Sequence, residues 1–158
     1  MILYHFTARE YLPSILEEGL TKGEVPTSAY GPAPNAVWFT SDGSPQGHGL
    51  SDEKILSPEE VQVMRRMHGV DYPDDLMFPN KKAIRIKVKL PSSDRRLFHW
   101  PAWSRKRMSR QWLDALHKAG GPRWRTWYIY FGVVPPSDFL EVLDMTTGEP
   151  AAVLAEAD

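Results

Sequence analysis

The pattern of apolar and polar residues along the chain predicts several short strands. Between residues 83 and 90 apolar residues alternate with basic or small ones, which predicts a half-buried strand with a basic outer face. Elsewhere the apolar residues form short unbroken runs bounded by turn residues, and such runs favour buried strands. The predicted strands cover residues 1–6, 36–40, 83–90, 127–134 and 139–143.

Three stretches have the end signals of helices. Pro13 suits a first helical turn and Gly19 suits the left-handed position after a last turn, so a short helix is predicted between them. Ser57 and Pro58 supply an N-cap and a first helical residue for a second helix. The predicted helices cover residues 13–18, 58–70 and 109–118.

The order of these elements predicts an α+β domain. Loops rich in Gly and Pro and half-polar strands argue against a repeated βαβ unit with a fully buried parallel sheet. We expect two small, mainly antiparallel sheets packed together with flanking helices, in a single domain covering residues 1–145. Residues 146–158 are rich in acidic and small side chains and are predicted to form an acidic C-terminal tail.

Composition excludes several kinds of site. The 158 residues contain no cysteine, which removes disulfides, thiolate zinc sites and cysteine nucleophiles. The five histidines lack zinc-protease spacing, so no metal site is expected, and neither a G-x-G-x-x-G nor a Walker sequence occurs. No apolar run approaches the roughly 20 residues of a membrane span, and the N-terminus lacks a signal-peptide pattern. We therefore expect a cytoplasmic protein without membrane contacts.

The net charge of −1 hides an uneven distribution of charge. Between Arg95 and Trp127 lie nine Lys or Arg residues, one acidic residue, Asp114, and five of the six tryptophans. Basic side chains interleaved with aromatic rings could hold phosphates and stack bases. The alternative is a solvated basic face above a core of tryptophans. A non-catalytic module that binds nucleic acid or protein through this segment, Arg95–Trp127, is therefore one hypothesis for the function.

His5 and Thr7 are candidate ligand-binding residues. They lie two apart on a predicted strand, so that an imidazole and a hydroxyl point to the same face. Thr7 and Glu10 also have the T-x-x-E spacing of a capping box, which predicts that the Thr7 hydroxyl is partly engaged with the backbone. A helix ending at Gly19-Leu20, a polar loop and an aromatic strand at 36–41 follow.

This succession of H-x-T strand, helix, Gly-Leu, polar loop and aromatic strand resembles the ADP-ribosyltransferase-like superfamily. The Val-Pro-Pro sequence at residues 134–136 is similar to the strand exit of the RNA 2′-phosphotransferases of that superfamily. The resemblance implies the α+β architecture given above. It also implies transfer of ADP-ribose from NAD, as substrate, to a macromolecular acceptor, either protein or nucleic acid, with an RNA-directed reaction as one option.

The resemblance implies a role for each candidate residue. His5 would hydrogen-bond the adenine-side ribose, and Thr7 would help to place the nicotinamide end. Tyr30, in the polar loop, would stack on a ring of the ligand. Trp38 and Thr40 of the second strand would lie near the nicotinamide.

The chain departs from the resemblance at the catalytic acid. Poly(ADP-ribose) polymerases have a glutamate before the last pocket strand, where this chain has Trp127. RNA 2′-phosphotransferases use arginines instead, which makes Arg125, or alternatively Arg123, the catalytic candidate beside His5 and Thr7. Arg85, or else Arg95 or Arg96, would meet the pyrophosphate. We expect weak or absent hydrolysis of NAD by water. The acids nearest in sequence to that strand are Asp138 and Glu141.

Overall fold

The computed structural model describes residues 1–25, 27 and 34–155. Its strands are β1 (Ile2–Thr7), β2 (Val37–Thr40), β3 (Lys54–Ile55), β4 (Met77–Phe78), β5 (Ile84–Lys89), β6 (Leu97–His99), β7 (Trp127–Tyr130) and β8 (Phe139–Asp144). Its helices are α1 (Leu12–Glu18), α2 (Pro58–His68), α3 (Trp100–Arg105) and α4 (Arg110–Gly120), with 3-10 turns at Arg9–Tyr11, Pro122–Thr126 and Pro136–Asp138. None of these helices is long and apolar enough to cross a membrane.

The strands form a six-stranded antiparallel sheet in the order β6-β7-β2-β1-β5-β8, and β3 pairs separately with β4. The predicted α+β class is therefore confirmed. The strands are divided differently from the expected two small sheets, because Tyr4 of β1 pairs with Thr40 of β2 and joins the central strands into one sheet.

The junction between β1 and β2 is narrow. β1 pairs with β5 over six residues and β2 pairs with β7 over four, whereas β1 and β2 share the single register pair of Tyr4 and Thr40. In an antiparallel ladder the next pairs of this register would be His5 with Phe39 and Phe6 with Trp38. Neither pair is formed, so the pairing of the two strands stops there and the sheet opens at its centre.

Two hydrophobic clusters lie on the two sides of the sheet. The sheet core contains Leu3, Ile15, Leu20, Val37, Phe39, Ala83, Ile84, Ile86, Val88, Leu90, Tyr130, Val134, Phe139 and Val142. The tryptophan core contains Val25, Ala36, Trp100, Trp103, Met108 and Ile129, with Trp38, Phe98, Trp112, Leu113, Leu116, Trp124, Trp127 and Phe131 packed around it. The tryptophans of the basic segment are thus largely part of a core.

Local signals placed the ends of the helices. Gly19 follows α1 with φ of 85°, and its N–H donates to Ile15 O at 2.8 Å. Ser57 caps α2 by accepting from the Glu60 N–H, as predicted.

β7 ends at Tyr130, earlier than the predicted strand. In the tail, the Ala151 N–H donates to Val142 O at 2.8 Å.

Candidate functional site

A cavity of about 1100 Å³ lies where β1 and β2 separate. Alternation along the strands gives it residues from both faces of the sheet, with His5 and Phe39 from one face and Phe6 and Trp38 from the other. The other walls come from α1, residues 19–24, residues 48–50 and the C-terminal end of α4. The opening in the sheet is therefore what creates the cavity.

His5 is held by the strand from which it separates. Its Nδ1 lies 2.8 Å from Trp38 O, and because a carbonyl only accepts, Nδ1 must be the protonated nitrogen. Burial lowers the pKa of the His5 imidazole, and the charge of Lys81 lowers it further. The neutral ring therefore has Nε2 as a hydrogen-bond acceptor, and Nε2 has no partner among the residues that the structure describes.

The hydroxyl of Thr7 is available beside His5. The predicted capping box is wrong, since Thr7 ends β1 and the turn Arg9–Tyr11 follows Ala8 without a side-chain cap. Thr7 is 5% exposed and lines the cavity. Its hydroxyl makes no hydrogen bond within the described part of the chain. The cavity therefore contains both groups of the H-x-T pair, an acceptor nitrogen and a hydroxyl.

Trp38 forms an aromatic wall of the cavity. Its Nε1 donates to Glu24 O at 2.8 Å, so the indole N–H is already used. Its ring centroid lies 4.7 Å from that of Trp100 and 5.7 Å from that of Trp127. Trp38 can therefore offer a ligand a rigid apolar surface rather than a hydrogen bond.

The Thr40 hydroxyl is occupied by the protein itself. It accepts from the Asp42 N–H at 3.0 Å and lies 2.7 Å from the hydroxyl of Thr126, which donates to Arg123 O. Thr40 is therefore the donor toward Thr126, so its hydroxyl proton and one of its two lone pairs are used within the protein. Thr40 lines the cavity, but we assign it no ligand hydrogen bond.

A second histidine, His48, is fixed in the cavity wall by its neighbours. Its Nδ1 accepts from Trp127 Nε1 at 2.8 Å, while its Nε2 donates to Asp42 Oδ2 at 3.2 Å and to Ser44 O at 3.1 Å. Asp42 Oδ2 also forms a salt bridge with Arg123 Nε at 3.1 Å. This network joins the loop after β2 to β7 and keeps the His48 ring 5% exposed.

Two predicted site residues lie away from the cavity. Arg85 donates to Glu141 at 2.7 Å and to Gly43 O at 2.9 Å, and does not line the cavity, so the pyrophosphate role predicted for it has no geometric support. Arg125 is exposed and lies over the Trp124 ring at 4.3 Å, also outside the cavity lining. The sequence pattern gives no distance between segments that are far apart along the chain, so neither position could be derived from it.

Tyr30 lies outside the described residues. Asp138 and Glu141 do not line the cavity. The carboxylates that do line it among the described residues are Glu18, at the end of α1, and Glu24. No group of three or more His, Asp or Glu residues that could hold a metal ion occurs in the described ranges 1–25, 27 and 34–155.

Sequence reasoning also missed the positive charges at the cavity. Lys22 and Lys81 line it, and both are exposed. Lys81 precedes β5 in a turn, and its N–H donates to Ser51 O at 2.9 Å. No motif marked either lysine, because its position depends on how distant segments meet.

Comparison of the chain with models of protein families, with curated proteins and with solved structures found no match.

Proposed function

We propose that the cavity binds NAD and that the chain transfers ADP-ribose from it to a macromolecular acceptor. The observation that supports this most directly is the fixed neutral tautomer of His5, whose Nε2 is left as an acceptor in a cavity that Thr7 also lines. An acceptor nitrogen selects a ligand that donates, and a ribose hydroxyl is such a donor. The resemblance to ADP-ribosyltransferases likewise implies a hydrogen bond between His5 and the adenine-side ribose, and it implies that Thr7 helps to place the nicotinamide end.

The size and lining of the cavity suit a dinucleotide. Small-molecule sites usually occupy about 300–1000 Å³ and combine apolar walls with a few polar groups, and this cavity of about 1100 Å³ has aromatic walls in Phe6, Trp38 and Trp127. The exposed Lys81, near enough to His5 to lower its pKa, is the candidate for the pyrophosphate in place of Arg85.

The reaction itself needs negative charge close to the ribose. The bond between the ribose C1 and the nicotinamide nitrogen breaks with its electron pair on nicotinamide, which leaves neutral. A bond forms from C1 to an oxygen or nitrogen of the acceptor, and the acceptor's proton is released to water. The ribose is cation-like in between, and a carboxylate stabilises it. In the part of the chain that the structure describes, Glu24 and Glu18 are the carboxylates that line the cavity, and the backbone of Glu24 is bonded to Trp38.

Calorimetric titration of NAD into the wild-type chain and into His5→Ala tests the binding. Loss of one ligand hydrogen bond should cost about 1–2 kcal/mol, or roughly 5- to 30-fold in affinity. His68→Ala is the matched control, because His68 is exposed on α2 and bonded to Tyr72 rather than to the cavity. An absence of NAD binding, or equal affinity in wild type and His5→Ala, would contradict the proposal.

The second candidate is a non-catalytic binding module. The buried Trp100 and Trp103 weaken it, since these rings are not free to meet a partner. The exposure of Arg105, Lys106 and Arg110 supports it. A transferase should release nicotinamide from NAD and modify the acceptor, whereas a binding module should do neither.

A further inference from the structure

The unit formed by α3, α4 and the turn Pro122–Thr126 presents an exposed basic surface. We call this surface the basic strip, and its residues are Arg105, Lys106, Arg107, Arg110, Lys118 and Arg125. Asp114 is the one acidic residue between residues 95 and 127, and its carboxylate is 3.9 Å from Arg110 Nε. The positive charge of the strip is therefore almost uncompensated by its own segment.

The strip leads along α4 toward the cavity. Arg110 and Lys118 lie eight residues apart and so share the outer face of α4, while Leu113 and Leu116 pack on the tryptophan core. Gly120, at the end of α4, lines the cavity. With a rise of about 1.5 Å per residue, α4 covers about 15 Å from its first residue to that end. A chain held on the strip thus has a short path to the cavity.

Two arginines of the strip lie over indole rings. The guanidinium of Arg107 lies 4.8 Å from the centre of the Trp103 ring, and that of Arg125 lies 4.3 Å from the centre of the Trp124 ring. The imidazole of His117 stacks on Trp124 at 3.9 Å with an interplanar angle of 5°. A guanidinium is planar, so when it is exposed and held over an indole ring it provides both a charge and a surface on which a base can stack.

We propose that the basic strip binds a single-stranded nucleic acid and that this strand is the acceptor presented to the cavity. Cations along the strip would follow the phosphates, and the planes of Arg107 and Arg125 would stack on unpaired bases. An acidic peptide would pair with the charges of the strip but has no bases to stack on the guanidinium planes. In a duplex the bases stack on one another and are not available to these planes. The acceptor part of this inference rests on the proposed NAD reaction, whereas the binding part does not.

Fluorescence anisotropy with a labelled single-stranded oligodeoxythymidine of about 16 nucleotides tests the binding part. The logarithm of the affinity should fall as the logarithm of the salt concentration rises. Arg105→Gln combined with Lys106→Gln should make this negative slope shallower by about 1.4, because each lost phosphate contact contributes about 0.7. Arg66→Gln combined with Lys89→Gln removes the same charge from exposed sites outside the strip and should leave the slope unchanged.

A second variant separates the planes from the charges. Arg125→Lys keeps the charge but removes the planar group above Trp124. It should weaken binding by about two- to fivefold with little change in salt slope. A polyglutamate peptide and a duplex of the same length should bind more weakly than the single strand. Equal affinity for either of them, or an equal effect of the strip and control double variants, would overturn the inference.

The same samples separate this inference from the proposed function. The strip double variant should bind NAD as the wild type does, because Arg105 and Lys106 do not line the cavity. Oligonucleotide binding without NAD binding would overturn the proposed function and the acceptor role but support the binding surface. NAD binding without oligonucleotide binding would overturn the inference alone. With radiolabelled NAD, the label should appear on the oligonucleotide, and label that appears only on protein would overturn the acceptor role.

Discussion

Trp127 donates its indole N–H to Nδ1 of His48 at 2.8 Å. Trp127 occupies the position at which the resemblance leads one to expect a catalytic glutamate, and it lines the same cavity as His5. Its polar atom is used inside the protein, and its ring forms part of the cavity wall. This position therefore contributes an apolar surface and a structural hydrogen bond rather than a charge.

Trp127→Phe should destabilise the fold through this hydrogen bond. The variant leaves Nδ1 of the buried His48 without a donor, which costs about 1–3 kcal/mol in the free energy of unfolding. Urea denaturation measures the change. Trp124→Phe is the control, since it also replaces an indole by the smaller phenyl ring. In the described residues the Trp124 indole N–H makes no hydrogen bond that the substitution would remove. An equal loss in both variants would show that ring packing alone accounts for the effect.

Much of the fold could be predicted from local patterns. The alternation from residue 84 to residue 89 predicted β5, and Ser57 with Pro58 predicted the start of α2, because each signal depends on residues adjacent in sequence. β3, β4 and β6 are two or three residues long, too short for a detectable pattern. The hydrogen bond between His5 and Trp38 joins residues 33 apart in the chain, and no local pattern indicates it.

The candidate site could be predicted only in part for the same reason. The spacing of His5 and Thr7 correctly gave two side chains on one strand face, and both line the cavity. The charge of Arg85 was visible in the sequence, but its pairing with Glu141 arises because β5 and β8 are neighbours. Glu24 and Lys81 belong to no recognisable sequence motif, although both line the cavity.

Acid should destabilise the protein in two steps. Burial lowers the pKa values of His5 and His117 below the ordinary 6.5, so the unfolded chain binds more protons than the folded one below that pH. Stability should therefore fall as the pH decreases through about 6.5. A second fall should begin near the ordinary aspartate pKa of 3.8, because Arg96 lowers the pKa of Asp94 to about 2 and Arg9 lowers that of Asp144.

Thermal unfolding followed from about pH 7.5 to about pH 3 checks both steps. The first step should shrink in His117→Gln, whose amide does not titrate. The Trp100 indole, which donates to His117 Nε2 at 3.0 Å, can still find an acceptor in the glutamine carbonyl. A melting temperature that stays constant down to about pH 5 would contradict the role assigned to the histidines.

Glu24→Gln should reduce transfer without reducing NAD affinity. A carboxylate at the reacting ribose acts on the cationic transition state more than on the bound substrate, so the loss should fall on kcat. Because Glu24 is exposed and solvent weakens its charge, the loss should be about tenfold. Glu17→Gln on α1 is the control, because Glu17 is exposed and does not line the cavity. If Glu24→Gln keeps full kcat while Glu18→Gln loses it, Glu18 is the carboxylate concerned.

The last prediction concerns the reaction with water. Trp127 replaces the expected acid with an indole, and Glu18 and Glu24, the carboxylates that line the cavity within residues 1–25, 27 and 34–155, are both exposed. Exposed charges act through solvent of high dielectric constant, which weakens their effect on a developing cation. Without an acceptor, nicotinamide release should therefore be slower than about 1 per second, the low end of ordinary enzyme turnover. Chromatographic measurement of nicotinamide checks this, and faster release would show that a carboxylate reaches the ribose in spite of Trp127.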